Sequence, residues 1–377
     1  MTRLQSRLRD ERGMTLVMVA TGLVAFLSAT MLAVDVGMLM VARTEAQSAA
    51  DAGALAGAVA LGYDDFDDRS ATGPAVRNAI AASTAADNSV MNAQASVLPE
   101  DVTFPTNTRI RVRVQRSGVR GNPLSTFIAP MFGVPTVDLG AEATAEVSPA
   151  NAMTCVKPFT VPDKWTEMQT PPWDPDDTFD MFDNKGDPLP NPDIYIPIGQ
   201  PGYTGYNSLT DRGQLITLKA ANGNNIAPSF YFPYSMGGIT GSAEYEWNIG
   251  NCNSLIMDYD DLLLSEPGNQ TGPTAHGMDT LIARDPSAHW DYDHVVSSMH
   301  PSPRVVAIPL FDPVYWTTGK QNGRNADLKV VNYMGFFIEE MQGNDVKGRI
   351  TPIGGILTGN GGPAPTGAFP IAIVLVK

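Results

Sequence analysis

From Met14 to Val34 the chain has neither a charge nor a proline, and as a helix at ~1.5 Å of rise per residue this run is ~32 Å long, about the thickness of a bilayer's hydrocarbon core. A stretch of that length and polarity is expected to cross a membrane. The helical pattern does not stop there. It runs on past Asp35, Arg43 and Glu45 into an Ala/Gly-rich segment ending at Leu61, and the first proline after it is Pro74. One continuous helix, a membrane span followed by a stalk, is therefore expected over 14–61. Arg3, Arg7, Arg9 and Arg12 outnumber Asp10 and Glu11 in the leader, so the positive-inside rule keeps the N-terminus cytoplasmic and puts the chain beyond residue 43 on the far side. A cleaved secretory signal is the competing reading. Against it, the apolar run exceeds a usual signal core and no small-residue cleavage site comes after it.

With 377 residues, 43% hydrophobic and 17% charged, the chain can bury one large or two ordinary cores beyond the anchor. Its formal net charge is −15, with most of the acidic excess after residue 150. Such a surface repels phosphate backbones, so nucleic-acid binding is excluded as a function class. Cys155 and Cys252 are the only cysteines. Two readings stay open for them, a disulfide closing a long loop on an oxidising side of the membrane, or two separate buried thiols; no CxxC spacing supports zinc or a redox dithiol.

Two features of the helix bear on contacts. Asp35 lies at the bilayer boundary if the span starts at Met14, and about two turns deep if Arg43 marks the far interface. It is then either an interfacial carboxylate or a buried one paired with a basic group on a partner helix, since a lone intramembrane acid is costly. Beyond Arg43 the small residues Ala46, Ala50, Gly53, Gly57 and Ala60 recur at spacings of four and three, a seam on which another backbone can approach closely. The seam docks a partner helix, or it packs on the chain's own domain. Arg43, Gln47 and Asp51 form a polar stripe beside it.

The order GMTLVMVATGL, then VDVG, then ARTEAQSAADAGALAGA resembles the N-terminal segment of TadE/TadG-like proteins of the tight-adherence (Flp) pilus-assembly system. The resemblance implies a bacterial inner-membrane protein whose periplasmic body serves pilus biogenesis, with other pilus-assembly membrane proteins or pseudopilins as partners. Members processed by a prepilin peptidase carry a glutamate five residues after the cleavage site, and after Gly13 that position is Met18. This departure points to an unprocessed, TadG-like anchor. Some TadG-like proteins carry a von Willebrand factor A domain, and 68–72 (DRSAT) formally matches the start of its metal site; but it follows YDDFDD, where that motif needs a buried apolar strand. The TadG-like type expected is one without that domain.

The rest of the chain reads as α+β. After an acidic break with Asp64, Asp65, Asp67 and Asp68, a helix is expected from Ala75 to Ala86. A strand at 109–114 has Ile110, Val112 and Val114 on one face and Arg109, Arg111 and Arg113 on the other. A short helix over 123–132 and a strand over 137–147 complete a small module. Beyond residue 150, Pro, Gly and Asp accumulate and long helical periodicity disappears, which favours short strands and structured loops. SFYFPYS, ITGSAEYEW, NIGNCNSLIMDYDD, RVVAIPLF, VVNYMGFFIEEM, VKGRITPIGGIL and the terminal FPIAIVLV read as strands.

Within this body Asp174, Asp176, Asp180 and Asp183, with Asp177 and Asp187, invite a calcium site, because hard cations need several oxygen ligands brought together; capped turns and solvated acids are the other reading. No other cofactor is indicated. His276, His289, His294 and His300 share one interval with Asp285, Asp291 and Asp293 but lack the HExxH spacing. No GxSxG elbow or phosphate loop is present, so the chain is expected not to be an enzyme. The expected organisation is a cytoplasmic leader (1–13), a transmembrane helix (14–42), a small-residue stalk helix (43–62), a small α+β module (63–149) and a β-rich Pro/Gly-rich periplasmic domain (150–377). Its expected role is that of an anchored scaffold acting through helix packing and protein contacts. The competing role is a calcium-binding adhesive module or a membrane-anchored, hydrolase-like one.

Overall fold

A computed structural model describes residues 11–63, 69–127, 129–207, 210–221, 223, 225–299, 301–321, 328–358 and 370–376. The leader residues Arg3, Arg7 and Arg9, the acids at 64–68 and His300 lie outside the described residues. The chain divides into two compact units, Met1–Val147 with the C-terminal residues from Ile373, and Ser148–Ala372.

The first unit is built on α1 (Glu11–Tyr63), a single unbroken helix. Ala-rich sequence without proline permits this length, since alanine loses no side-chain entropy in a helix. α2 (Pro74–Ser83) starts with proline at its first turn, where the missing N–H costs nothing. Three antiparallel strands follow the order β1 (Val102–Thr106), β2 (Arg109–Arg116), β5 (Leu139–Pro149). Ile110, Val112 and Val114 are fully buried, while on the opposite face Arg109 meets Glu146 at 2.9 Å and Arg111 meets Glu142 at 3.5 Å. The arginine stripe is thus matched by glutamates on the neighbouring strand, Arg109 with Glu146 directly across the ladder and Arg111 with Glu142 on the diagonal.

The helix expected over 123–132 is absent. There the chain forms β3 (Leu124–Ser125), a four-residue 3-10 turn at Ala129–Phe132 and β4 (Thr136–Val137), with β3 and β4 paired as a ribbon. Pro123, Pro130, Gly133 and Pro135 leave too few consecutive N–H donors for an α-helix.

The second unit is a closed barrel. Its strands are β6 (Phe159–Pro162), β7 (Leu215–Ala220), β8 (Phe230–Pro233), β9 (Val305–Phe311), β10 (Leu328–Gln342) and β11 (Asp345–Thr351). They neighbour one another in the order β10-β9-β6-β8-β7-β11, and β11 closes the ring on β10. The β6–β9 and β7–β8 pairs are parallel, the others antiparallel. β9 is buried on both faces, Val306, Ile308 and Leu310 in one apolar cluster and Ala307 and Phe311 in a second. That explains why it reads as an unbroken apolar run rather than an alternating one.

ITGSAEYEW does not form a strand, and of NIGNCNSLIMDYDD only Met257–Asp258 does. Ser242–Gly250 is helix α3, which packs with α4 (Thr271–Arg284) so that Tyr245, Ile249, Met278 and Leu281 enter the first of these clusters. Tyr245 and Ile249 stand four apart, on one helical face. A further helix, α5 (Pro313–Gln321), follows β9.

Candidate functional site

Helix α1 and the elements packed on it form the site. Among the described residues α1 is the one helix long and apolar enough to cross a membrane, and none of its apolar window is buried. From residue 13 to Val34 its side chains stay exposed or half-exposed; Asp35, 4% exposed, is the first buried one. That run is about 22 residues, or ~33 Å of helix.

Asp35 is held by backbone N–H groups. Its Oδ1 accepts the N–H of Phe127 at 2.8 Å and its Oδ2 that of Ala129 at 2.7 Å. The carboxylate therefore caps the 3-10 turn at Ala129–Phe132, and charge-assisted bonds of this kind are about twice as strong as neutral ones. Both sequence readings of Asp35 missed this partner, which lies more than ninety positions along the chain. The adjoining turn is braced by Arg116, whose guanidinium donates to the carbonyls of Val90, Asn122 and Pro123. Arg43 is exposed.

From Ala42 one face of the helix becomes a core element, while Val36, Met40 and Val41 stay exposed. Ala46, Ala50, Gly53, Gly57 and Ala60 are all buried, and so are Ala42, Ala49, Ala54, Ala58 and Leu61, which widen the seam. Their cover is internal. A methyl placed at Gly53 would stand 1.9 Å from Ser83 Oγ and 3.0 Å from the Ala79 carbonyl, and one at Gly57 would stand 2.5 Å from Ile110 Cδ1 and 3.1 Å from the Ala75 carbonyl. Only glycine allows α1 to lie this close to α2 and β2. Of the two readings of the seam, the structure has the one in which it packs on the chain's own domain; it is not open to a partner helix. The polar stripe beside it is partly engaged too, with Gln47 Nε2 donating to Asp51 Oδ1 and to the Glu142 carbonyl, and Glu45 Oε2 accepting the N–H of Met91 at 2.7 Å.

In the body, Cys155 and Cys252 are joined as a disulfide across a separation of 97 residues. The aspartates proposed for calcium act as turn acceptors. Asp176 holds Lys219 and Ser229, Asp174 and Asp183 accept nearby backbone N–H groups, and Asp180 accepts the Thr178 hydroxyl. His276 faces Glu246, His289 faces the Ser287 carbonyl and His294 faces Asp293. Among the described residues no group of three or more His, Cys, Asp or Glu side chains is placed to hold a metal ion.

Two buried charges escaped the sequence reading. Asp163 is fully buried, receives the hydroxyls of Tyr195 and Tyr203 and the N–H groups of Lys164 and Tyr206, and burial pushes its carboxyl up to about 6. Burial, with the nearby Arg284 charge, brings the Lys157 ammonium down to about 7, although it donates to the carbonyls of Ile249 and Asn251. They are polar ties across the fold, each satisfied by hydrogen bonds to other parts of the protein.

Residues 13–60 match the family model of Flp pilus-assembly TadE/G-like proteins. The match covers the exposed span, Asp35 and the seam, and lies wholly within α1. No curated protein and no solved structure matches the chain.

Proposed function

From an N-terminal helix of the TadE/G-like kind, we propose that this chain is a non-enzymatic, membrane-anchored scaffold of a Tad/Flp-type pilus assembly and secretion system. Its span sits in the bacterial inner membrane, its N-terminus in the cytoplasm and its two folded units in the periplasm. The observation that carries the reading is the coincidence of the family match with a helix whose apolar side chains stay exposed over 13–34 and one face of which, with Asp35 and then from Ala42, is packed into a folded unit. A helix shared in this way transmits position rather than chemistry: whatever the span contacts in the membrane is rigidly registered to the periplasmic unit. The leader's arginines support the orientation, and the disulfide suits an oxidising compartment.

The seam is occupied from within. Lateral pairing with pseudopilins or platform helices therefore runs through the exposed face of 13–34, and further contacts through the body. In-cell photo-crosslinking from Gly22, where a side chain would meet nothing in the chain itself, tests this. Crosslinks from Gly22 to pilus-assembly membrane proteins are expected; a full set of crosslinks to unrelated membrane proteins alone would sink the assembly role.

A further inference from the structure

We infer that a cleft on the polar face of the β1-β2-β5 sheet binds a carboxylate through Arg113, the acidic side chain of a peptide segment from a protein partner. The site rests on the folded first unit alone. It goes beyond the scaffold role, which gives none of its contacts a chemistry.

The arginine stripe of β2 has one cation too many. Arg109, Arg111, Arg113 and Gln115 share one face, and across the ladder β5 sets Glu146, Thr144, Glu142 and Gly140 against them in turn. Two glutamates therefore serve three arginines. Glu146 takes Arg109, while Glu142, which stands directly opposite Arg113, turns diagonally to Arg111 at 3.5 Å. Arg113 is exposed and has no ion pair among the described residues.

An acid at position 140 would complete the set, and the residue there is glycine. Its missing side chain opens a cleft of about 500 Å³, lined among others by Arg113, Gln115, Ser117, Val119 and Gly140, a size that suits a small ligand. Packing does not require this glycine, because a Cβ there would meet only the Val114 carbonyl, at an ordinary 3.6 Å. Strand propensity disfavours it. The other charges of the cleft are engaged: Arg120 is held by Glu100 at 2.9 Å and by Asp101 at 3.1 Å, and Asp138 accepts the N–H of Gly118 at 2.8 Å. Ser117, in the cleft wall, is 8% exposed, and its hydroxyl has no hydrogen-bond partner among the described residues. A serine hydroxyl turns about a single bond, so a ligand oxygen beside it would supply the partner it lacks.

These features set the chemistry of the ligand. A guanidinium fork matches a carboxylate or a phosphate, two N–H groups to two oxygens. Glu100 and Asp138 line the same cleft and repel a phosphate group nearly twice as strongly as a singly charged carboxylate, which selects the carboxylate. Val119, which also lines the cleft and is 92% exposed, offers the rest of a peptide an apolar surface to cover.

The test uses the full chain in detergent, disulfide intact, with its arginine side chains labelled with nitrogen-15. The Nε–H signals of Arg113 and Arg109 are identified by their absence in Arg113→Gln and Arg109→Gln. The probe is the peptide acetyl-Gly-Asp-Val-amide, compared with its Asn counterpart and with inorganic phosphate. The Asp peptide should move the Arg113 signal along a curve that saturates in the millimolar range, as one exposed ion pair allows, and leave that of Arg109 in place. The Asn peptide should move neither. Gly140→Val fills the cleft without touching Arg113 and should weaken binding about tenfold or more; valine suits a strand, so the amide spectrum should remain that of wild type. If valine disturbs the sheet, Gly140→Ala should weaken binding in the same direction by a smaller factor. A shift that grows linearly with any anion, or undiminished binding in a natively folded Gly140 variant, would mean a solvated arginine and would overturn the site. Tighter saturation by phosphate than by the Asp peptide would overturn the carboxylate assignment.

Discussion

Replacing Gly53 with alanine sets two effects of opposite sign against each other. In an isolated helix the change should stabilise by about 1 kcal/mol, because glycine is the weaker helix former. Here the new methyl would lie 1.9 Å from Ser83 Oγ, 3.0 Å from the Ala79 carbonyl and 3.2 Å from Ser83 Cβ. No serine rotamer relieves all three contacts, so α1 and α2 must separate, and overpacking of this kind costs about 1 to 3 kcal/mol or more. With the nearest contact so short we place the cost at the upper end, and Gly53→Ala is expected to lose about 2 kcal/mol net. Ser83→Ala removes a buried hydroxyl that has no hydrogen-bond partner among the described residues and should gain about 1 kcal/mol. In the double variant the 1.9 Å conflict is gone and only contacts that can give by a few tenths of an ångström remain. The pair should therefore be coupled by about 2 kcal/mol in the rescuing direction. Hydrogen exchange at the α2 amides, on the full chain in detergent, reads the local opening free energy without assuming that both units unfold together. Slower exchange in Gly53→Ala alone, with no coupling to Ser83, would refute the close helix approach.

Asp35→Asn removes the charge and leaves one oxygen for two donors; exchange at the Phe127 and Ala129 amides should rise roughly tenfold to a hundredfold, and unchanged exchange would disprove the tether. Reducing the Cys155–Cys252 disulfide releases a 97-residue loop and should cost about 4 to 5 kcal/mol in the chain-entropy model, seen as a lower urea midpoint for the barrel's tyrosine signal. An unshifted midpoint would show that the link adds nothing. The buried Asp163 gives a pH signature of known sign. Its carboxyl is held up, to about 6 from 3.8, by burial, so the fold favours the protonated form. That contribution is complete below the unfolded value and is lost as pH rises through the folded one, about 3 kcal/mol in all between pH ~4 and ~6. Wild type should lose stability relative to Asp163→Asn across that window; parallel curves would contradict it.

How much of the fold and the site is legible in the sequence depends on the range of each interaction. The span over 14–34, the continuation of its helix through Leu61 and the alternation Ile110, Val112, Val114 are local periodicities, and a chain carries those in its own letters. The small-residue seam is visible for the same reason. Its occupant is not, because Ser83, Ala79 and Ile110 are brought against Gly53 and Gly57 by folding, and an unoccupied and an occupied seam have the same spelling. Asp35 is the sharper case. An acid beside a bilayer announces that it needs a partner, but backbone N–H groups belong to every residue, and only the tertiary structure selects those of Phe127 and Ala129. In the body, Tyr245 and Ile249 in a short apolar stretch suit a strand or a helix equally, and packing against α4 decides for the helix. Barrel closure rests on β11 pairing with both β10 and β7, a ring condition that no single strand encodes. By itself, then, the sequence determined the long apolar helix and the stalk that continues it. The partners of the stalk, and the fact that Asp35 is the first buried residue along its helix, were decided by contacts between residues far apart in the chain.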